Sequence, residues 1–238
     1  MAWIIAGIAV VAVLVRTHHL NINSFEILLV CALIPSVILH EVSHGAVALY
    51  FGDDTAKRAG RLTLNPLPHI DPFGTIILPA LLALSGFGVI GWARPVPVNV
   101  SKLRHPRNEG VAVSLVGPGV NIALVVFFGL VYRFGIPLHD KLYLSSPTAV
   151  LPGPIWVQYI FILGYVNILL AVFNLIPLPP LDGSVVLERL LPASALPGYY
   201  RIRPFTMFIP LIIVVLDPGA LQHLFIPLIN EWNRIVGS

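Results

Sequence analysis

The chain has 238 residues, of which 57% are hydrophobic and only 11% charged, with a net charge of +3 and a mean hydropathy of +0.88. Several long apolar runs on that background exclude a soluble globular domain and indicate a polytopic membrane protein. No basic patch interleaves with aromatics, which excludes nucleic acid as a partner, and the single cysteine, Cys31, excludes an internal disulfide.

Residues 1–15 read as a first apolar span, uncleaved because no basic segment precedes it and no small-residue cleavage site ends it. His18 and His19 behind it read as interfacial polar residues. Residues 25–50 form the second span, with Pro35 as a kink point and Cys31 expected as a buried, inert thiol. This span carries His40-Glu41-Val42-Ser43-His44. Two histidines four apart lie on one face of a helix, one turn above the other, where a single Zn²⁺ takes both imidazoles. Glu41 beside them is placed for general-base work on water. The bland alternative is a pair of hydrogen-bonded helix histidines, but ionisable groups in an apolar span are costly and mark function.

Residues 51–71 are polar, with Gly52, Gly60, Pro66 and Pro68 as breakers. The alternation in Arg61-Leu62-Thr63-Leu64-Asn65 predicts a short strand or hairpin. His69 and Asp71 follow, either as a second metal site or, on the plainer reading, as loop residues. Residues 74–92 are apolar but interrupted by Pro79, Gly86, Gly88 and Gly91. Basic residues on both sides of them predict a re-entrant segment rather than a full span.

Residues 111–133 are a span containing Gly117-Pro118-Gly119-Val120-Asn121. The small residues allow close helix approach and Asn121 needs an intramembrane partner; packing alone is the other reading. Residues 134–154 read as an outside loop. Residues 155–176 are the next span, running into Asn174-Leu175-Ile176-Pro177-Leu178-Pro179-Pro180-Leu181-Asp182-Gly183. Residues 205–229 are apolar but broken at Asp217-Pro218-Gly219, as two short helices or one broken span. Ten of the 14 Lys and Arg fall in the 51–73, 93–110 and 183–203 loops, which predicts that all three are cytoplasmic.

The expected architecture is an all-α polytopic membrane protein. It has about five to six transmembrane helices, a re-entrant segment and a short membrane-associated β-strand or hairpin. A single domain spans 1–238, with its metal-site core at about 25–185. A catalytic zinc takes three protein ligands and leaves one position open. Asp182, in a proline-broken turn at the end of a span, is the best third ligand; a carboxylate capping the helix that starts near Gly183 is an equal alternative on spacing alone.

Three motifs together, His40-Glu41-Val42-Ser43-His44, Gly117-Pro118-Gly119-Val120-Asn121 and Asn174…Pro177…Pro180-Leu181-Asp182-Gly183, make the chain similar to the site-2 protease family of intramembrane zinc metalloproteases. They cover about residues 25–185 in the family's order. The resemblance implies one zinc per chain held by His40, His44 and Asp182, with Glu41 as general base. It implies that Asn174 holds the substrate backbone or the developing oxyanion, and that Gly117, Pro118 and Asn121 belong to a helix packed near the site. It also implies a transmembrane segment of another protein as substrate and the lipid bilayer as surroundings. The setting would be a prokaryotic cell membrane, with the active site toward the cytoplasm. The lack of PDZ-like or CBS-like modules resembles the compact prokaryotic branch. The family's single span between histidine helix and aspartate helix agrees with re-entry at 74–92. The rival readings are a catalytically inactive membrane scaffold and a metal or proton transporter. The sequence sets no substrate identity and no oligomeric state.

Overall fold

The computed structural model describes residues 24–71, 93–137, 154–206 and 220–237, with isolated positions 74, 209, 212 and 216. Seven α-helices stand among them: α1 (Ser24–Tyr50), α2 (Thr55–Arg58), α3 (Pro106–Gly135), α4 (Ile155–Leu175), α5 (Gly183–Leu190), α6 (Leu196–Thr206) and α7 (Ala220–Gly237). In a bilayer every backbone polar group must be satisfied internally, and uninterrupted Leu, Ile, Val and Ala runs meet that demand as helices. Segments Ile27–Tyr50, Pro106–Gly135 and Ile155–Leu175 are long and apolar enough to cross. These three helices pack on one another, with α7 against α3 and α4.

The core lies where α3, α4 and α7 meet. Tyr132, Phe161 and Trp232 stack edge to face, at 5.5 and 5.8 Å between ring centroids. A Cβ at Gly164 would stand 2.2 Å from the Trp232 ring, so only glycine lets that indole seat. Pro35 donates no N–H inside α1, which frees the carbonyl one turn before it. The Tyr159 hydroxyl of α4 donates to that Cys31 carbonyl at 3.2 Å.

The outer faces are apolar too. Ile27, Val30 and Ile34 of α1 and Ile122, Val126, Phe127 and Leu130 of α3 are exposed, as a lipid-facing surface requires. Cys31 shares that face and is exposed, not buried. An apolar neighbourhood in a membrane span is lipid as readily as protein, so composition did not decide between them.

Three spans among the described residues replace the expected five to six. Residues 1–15 and much of 205–219 lie outside the described residues. The helix that closes the chain, α7, carries Gln222, His223, Asn230, Glu231, Asn233 and Arg234 and is too polar to qualify. The expected strand or hairpin is also overturned, since no strand occurs among the described residues. Side chains occupy the polar backbone groups that a ladder would need. The Thr63 hydroxyl accepts the Asn65 N–H, Asn65 Oδ1 accepts the Leu67 N–H, and the Thr63 carbonyl accepts from His69 Nε2.

Contacts at the helix ends gather one layer. Arg104 donates its N–H to the Phe51 carbonyl at 3.2 Å and its guanidinium to the Tyr50 carbonyl at 2.9 Å. The end of α1 therefore meets the start of α3. There Glu109 Oε2 accepts the N–H of the N-cap residue His105 at 2.8 Å. The Arg189 guanidinium reaches Asn108 Oδ1 at 3.3 Å and brings α5 into the same layer. The re-entrant segment expected at 74–92 lies, but for position 74, outside the described residues. Its flanks meet, with the Arg94 N–H donating to the His69 carbonyl at 2.8 Å.

Candidate metal centre

Helix α1 presents His40 and His44 on its buried face. Their Nε2 atoms stand 3.0 Å apart. Asp182 Oδ2 lies 3.1 Å from His40 Nε2 and 3.4 Å from His44 Nε2. Asp182 occupies the N-cap position of α5, yet its side chain makes no capping hydrogen bond; the carboxylate turns to the histidines instead. Two contacts fix that turn. The Ser114 hydroxyl of α3 donates to the Asp182 carbonyl at 2.9 Å. Gly183 folds under the end of α4 so closely that a Cβ there would stand 2.3 Å from the Leu175 carbonyl oxygen.

Hydrogen bonds assign the protons. The Leu163 carbonyl can only accept, so the Asn167 amide nitrogen faces it, at 2.8 Å. The Ser36 hydroxyl donates to the Ala32 carbonyl at 2.8 Å, so its lone pair takes the other Asn167 hydrogen, at 2.9 Å. Asn167 Oδ1 must then accept from Asn121 Nδ2, at 2.7 Å, which turns Asn121 Oδ1 toward His40 Nδ1, at 2.6 Å. His40 therefore carries its proton on Nδ1. His44 does the same, because its Nδ1 faces the Val113 carbonyl at 2.6 Å. In the neutral rings both Nε2 atoms carry the lone pair, and they face each other and a carboxylate oxygen.

Three ligand atoms thus converge, and Asp182 Oδ2 is buried without a hydrogen-bond donor. Buried polar groups in that state call for a cation. Among the described residues, His40, His44 and Asp182 are the His, Cys, Asp or Glu group placed to hold a metal ion, with ligand atoms within 4.8 Å of one another. Neutral imidazoles and one carboxylate suit Zn²⁺.

Helix α3 closes the wall of the site. A Cβ at Gly117 would stand 2.4 Å from His44 Nε2 and 2.5 Å from His40 Cε1. No other residue type leaves that space open. Pro118 is buried beside it. Glu41 is half-buried and its Oε2 accepts the Val96 N–H at 2.7 Å. Asn174, in the last turn of α4, donates to its own helix at the Leu170 carbonyl, 3.0 Å away. His69 and Asp71 stay out of the cluster. His69 is buried with Nε2 on the Thr63 carbonyl, and Asp71 Oδ1 accepts the Gly74 N–H at 2.7 Å. Sequence reasoning missed Ser36, Ser114 and Asn167. A lone polar residue in an apolar span, the signal that singled out Asn121, was available for Asn167 as well.

Comparison with known proteins agrees with this centre. The profile of Peptidase family M50 matches residues 28–216. A Bacillus subtilis protein named "Putative zinc metalloprotease YwhC" is 40% identical over 204 residues, covering 85% of this chain and 85% of its own. "Putative zinc metalloprotease Rip2" of Mycolicibacterium smegmatis is 32% identical over 208 residues, covering 87% of this chain and 70% of its own. No solved structure matches.

Proposed function

We infer, from the premise that this chain belongs to peptidase family M50, the site-2 proteases, and is an intramembrane zinc metalloprotease, that His40, His44 and Asp182 hold the zinc and Glu41 is the general base. The single observation that carries this assignment is the convergence of two histidine Nε2 atoms, each ring held through Nδ1, on a buried carboxylate oxygen that lacks a donor. Bound there, Zn²⁺ supplies Lewis acidity toward water and a peptide carbonyl.

The chain's own residues do the rest. Glu41 lies between His40 and His44 on α1, and its carboxylate takes a proton from the attacking water and delivers it to the leaving amine. Asn174 exchanges its Leu170 carbonyl for the substrate, holding the backbone or the oxyanion. Gly117 keeps α3 out of the volume between the histidines. The substrate is a transmembrane segment of another protein. A helical peptide bond is shielded by its own hydrogen bonds and side chains, so that segment unwinds before it is cut. The layer that joins α1, α3 and α5 carries most of the chain's Lys and Arg, which supports a site opening toward the cytoplasm. We read residues 1–238 as one domain.

The test is zinc per chain in detergent-purified protein. We expect about one in the wild type and in Glu41→Gln, and none in folded His44→Ala or Asp182→Ala. Glu41→Gln should cleave no substrate. Retained zinc without Asp182 would move the third ligand elsewhere, and cleavage by Glu41→Gln would remove Glu41 from the mechanism.

A further inference from the structure

Residues 93–99 lie outside helix and strand and touch α1 at Glu41, beside His40. The sequence explains the shape. Pro95 and Pro97 fix their own φ angles and push Arg94 and Val96 toward extended backbone. Because proline has no N–H, Val96 is the one backbone donor between Arg94 and Val98. That donor goes to Glu41 Oε2, at 2.7 Å. Among the described residues it is the one hydrogen bond to the Glu41 carboxylate.

Two features hold this strap at that height. Val96 is buried against α1, and a Cβ at Gly45 would stand 2.8 Å from Val96 Cγ1; the glycine one residue beyond His44 makes its seat. From the other side, the buried Arg61 grips the strap. Its guanidinium donates to the Arg94 carbonyl at 2.6 Å, to the Pro95 carbonyl at 3.1 Å, and also to the Pro68 carbonyl. Burying a guanidinium is costly unless its donors are met. Here its two terminal nitrogens are met by carbonyls on both flanks of the 72–92 segment, while its Nε has no partner among the described residues.

We propose that Arg61 and Val96 are positioning residues for the reaction: Arg61 fixes the strap, and the Val96 N–H fixes one carboxylate oxygen of Glu41 so that the other faces the attacking water. Without that bond Glu41 keeps its charge but not its direction, and misplacement by about 1 Å costs on the order of 100-fold in rate. The inference rests on Glu41 as general base, and its failure is separable from the failure of that reading. If Glu41→Gln cleaves, the base assignment falls; if Glu41→Gln is inactive and the variants below behave as wild type, only the strap falls.

The experiment uses the full chain with a single-span membrane protein chosen because the wild type cleaves it, and measures kcat, KM and zinc per chain. Val96→Pro removes the N–H while favouring the same extended backbone. It should lower kcat about 100-fold, with KM within about twofold of wild type and zinc retained. Val96→Ala keeps the N–H and should hold at least about ten times the kcat of Val96→Pro. Arg61→Gln loosens the strap without touching Val96 and should lower kcat selectively by a smaller factor. Should Val96→Pro fail to fold, Arg61→Gln decides. Wild-type kcat in either variant, a loss carried by KM, loss of zinc, or an equal loss in Val96→Ala would each overturn the proposal.

Discussion

Asn167 stands two hydrogen bonds from His40, and the free lone pair on His40 Nε2 depends on it. Its amide is oriented by a carbonyl that can only accept; that orientation sets Asn121, and Asn121 sets the imidazole tautomer. Removing Asn167 leaves Asn121 Nδ2 without an acceptor inside the bundle and lets the amide turn over. Partners of this kind typically contribute 10- to 100-fold in metal affinity. Asn167→Ala should therefore weaken zinc binding about 10- to 100-fold in competition with a chelator, while the helix content stays unchanged. Wild-type affinity would show that His40 holds its tautomer without the relay. The two proposed histidine ligands were legible as a pair in sequence because helical spacing encodes it: His40 and His44 share a face by periodicity alone. Asp182 was undecided between ligand and cap because both uses require the same position, just before α5. Only the direction of its side chain separates them. Asn167 stood out as a lone polar residue in an apolar span, but its role was not legible because it passes through a residue 46 positions away in sequence.

At the scale of elements, Asp53 clasps the end of α1 to the stretch leading into α3. Its Oδ1 accepts the Thr55 N–H at 3.0 Å and the Thr55 hydroxyl, and its Oδ2 accepts the Asn99 N–H at 2.6 Å. Burial alone would raise the Asp53 pKa, but the bonds from Thr55 and Asn99 and the charge of Lys102 outweigh it and hold the carboxyl below its ordinary value. A carboxyl lowered in the folded state binds protons less readily there than in the unfolded chain. Its contribution is therefore present above the ordinary carboxylate value and is lost as pH falls through the lowered one. Hydrogen bonds to a charged group contribute about 1.5–3 kcal/mol. Asp53→Asn should lower the melting temperature in detergent at neutral pH, and the gap from wild type should close in strong acid. A gap independent of pH would assign the effect to packing. The neighbouring stretch 61–65 shows why local pattern misled here. Its alternation suits a strand, but Arg61 points inward to clamp carbonyls, and Thr63 and Asn65 bond their own loop. Period-2 polarity records which side chains face inward, and says nothing of whether a partner strand exists.

For the whole molecule, hydropathy found the three spans that form the bundle but not the number of crossings, because an apolar stretch reads alike whether it traverses, re-enters or packs on a surface. The charge pattern constrains orientation more firmly once contacts are known. Lys57, Arg58, Arg61, Arg94, Lys102, Arg104 and Arg107 lie between the end of α1 and the first turn of α3, which are bonded to each other. Arg189 reaches Asn108 in that layer, and Arg203 joins it through Glu188, at 3.7 Å. Arg133 lies near the opposite end of α3, 26 residues on from Arg107. Under the positive-inside rule this distribution predicts that the layer faces the cytoplasm. The orientation is testable in a Cys31→Ala background, since Cys31 is the chain's one native thiol. A cysteine placed at the exposed Lys57 should react with a membrane-impermeant thiol reagent in inside-out vesicles and stay protected in right-side-out ones. A cysteine at the exposed Phe134 should show the reverse. Because His44 and Asp182 sit beside the layer that holds Lys57, the same labelling decides from which compartment water reaches the metal. Reversed labelling would open the site to the outside, and the positive layer would then need another cause.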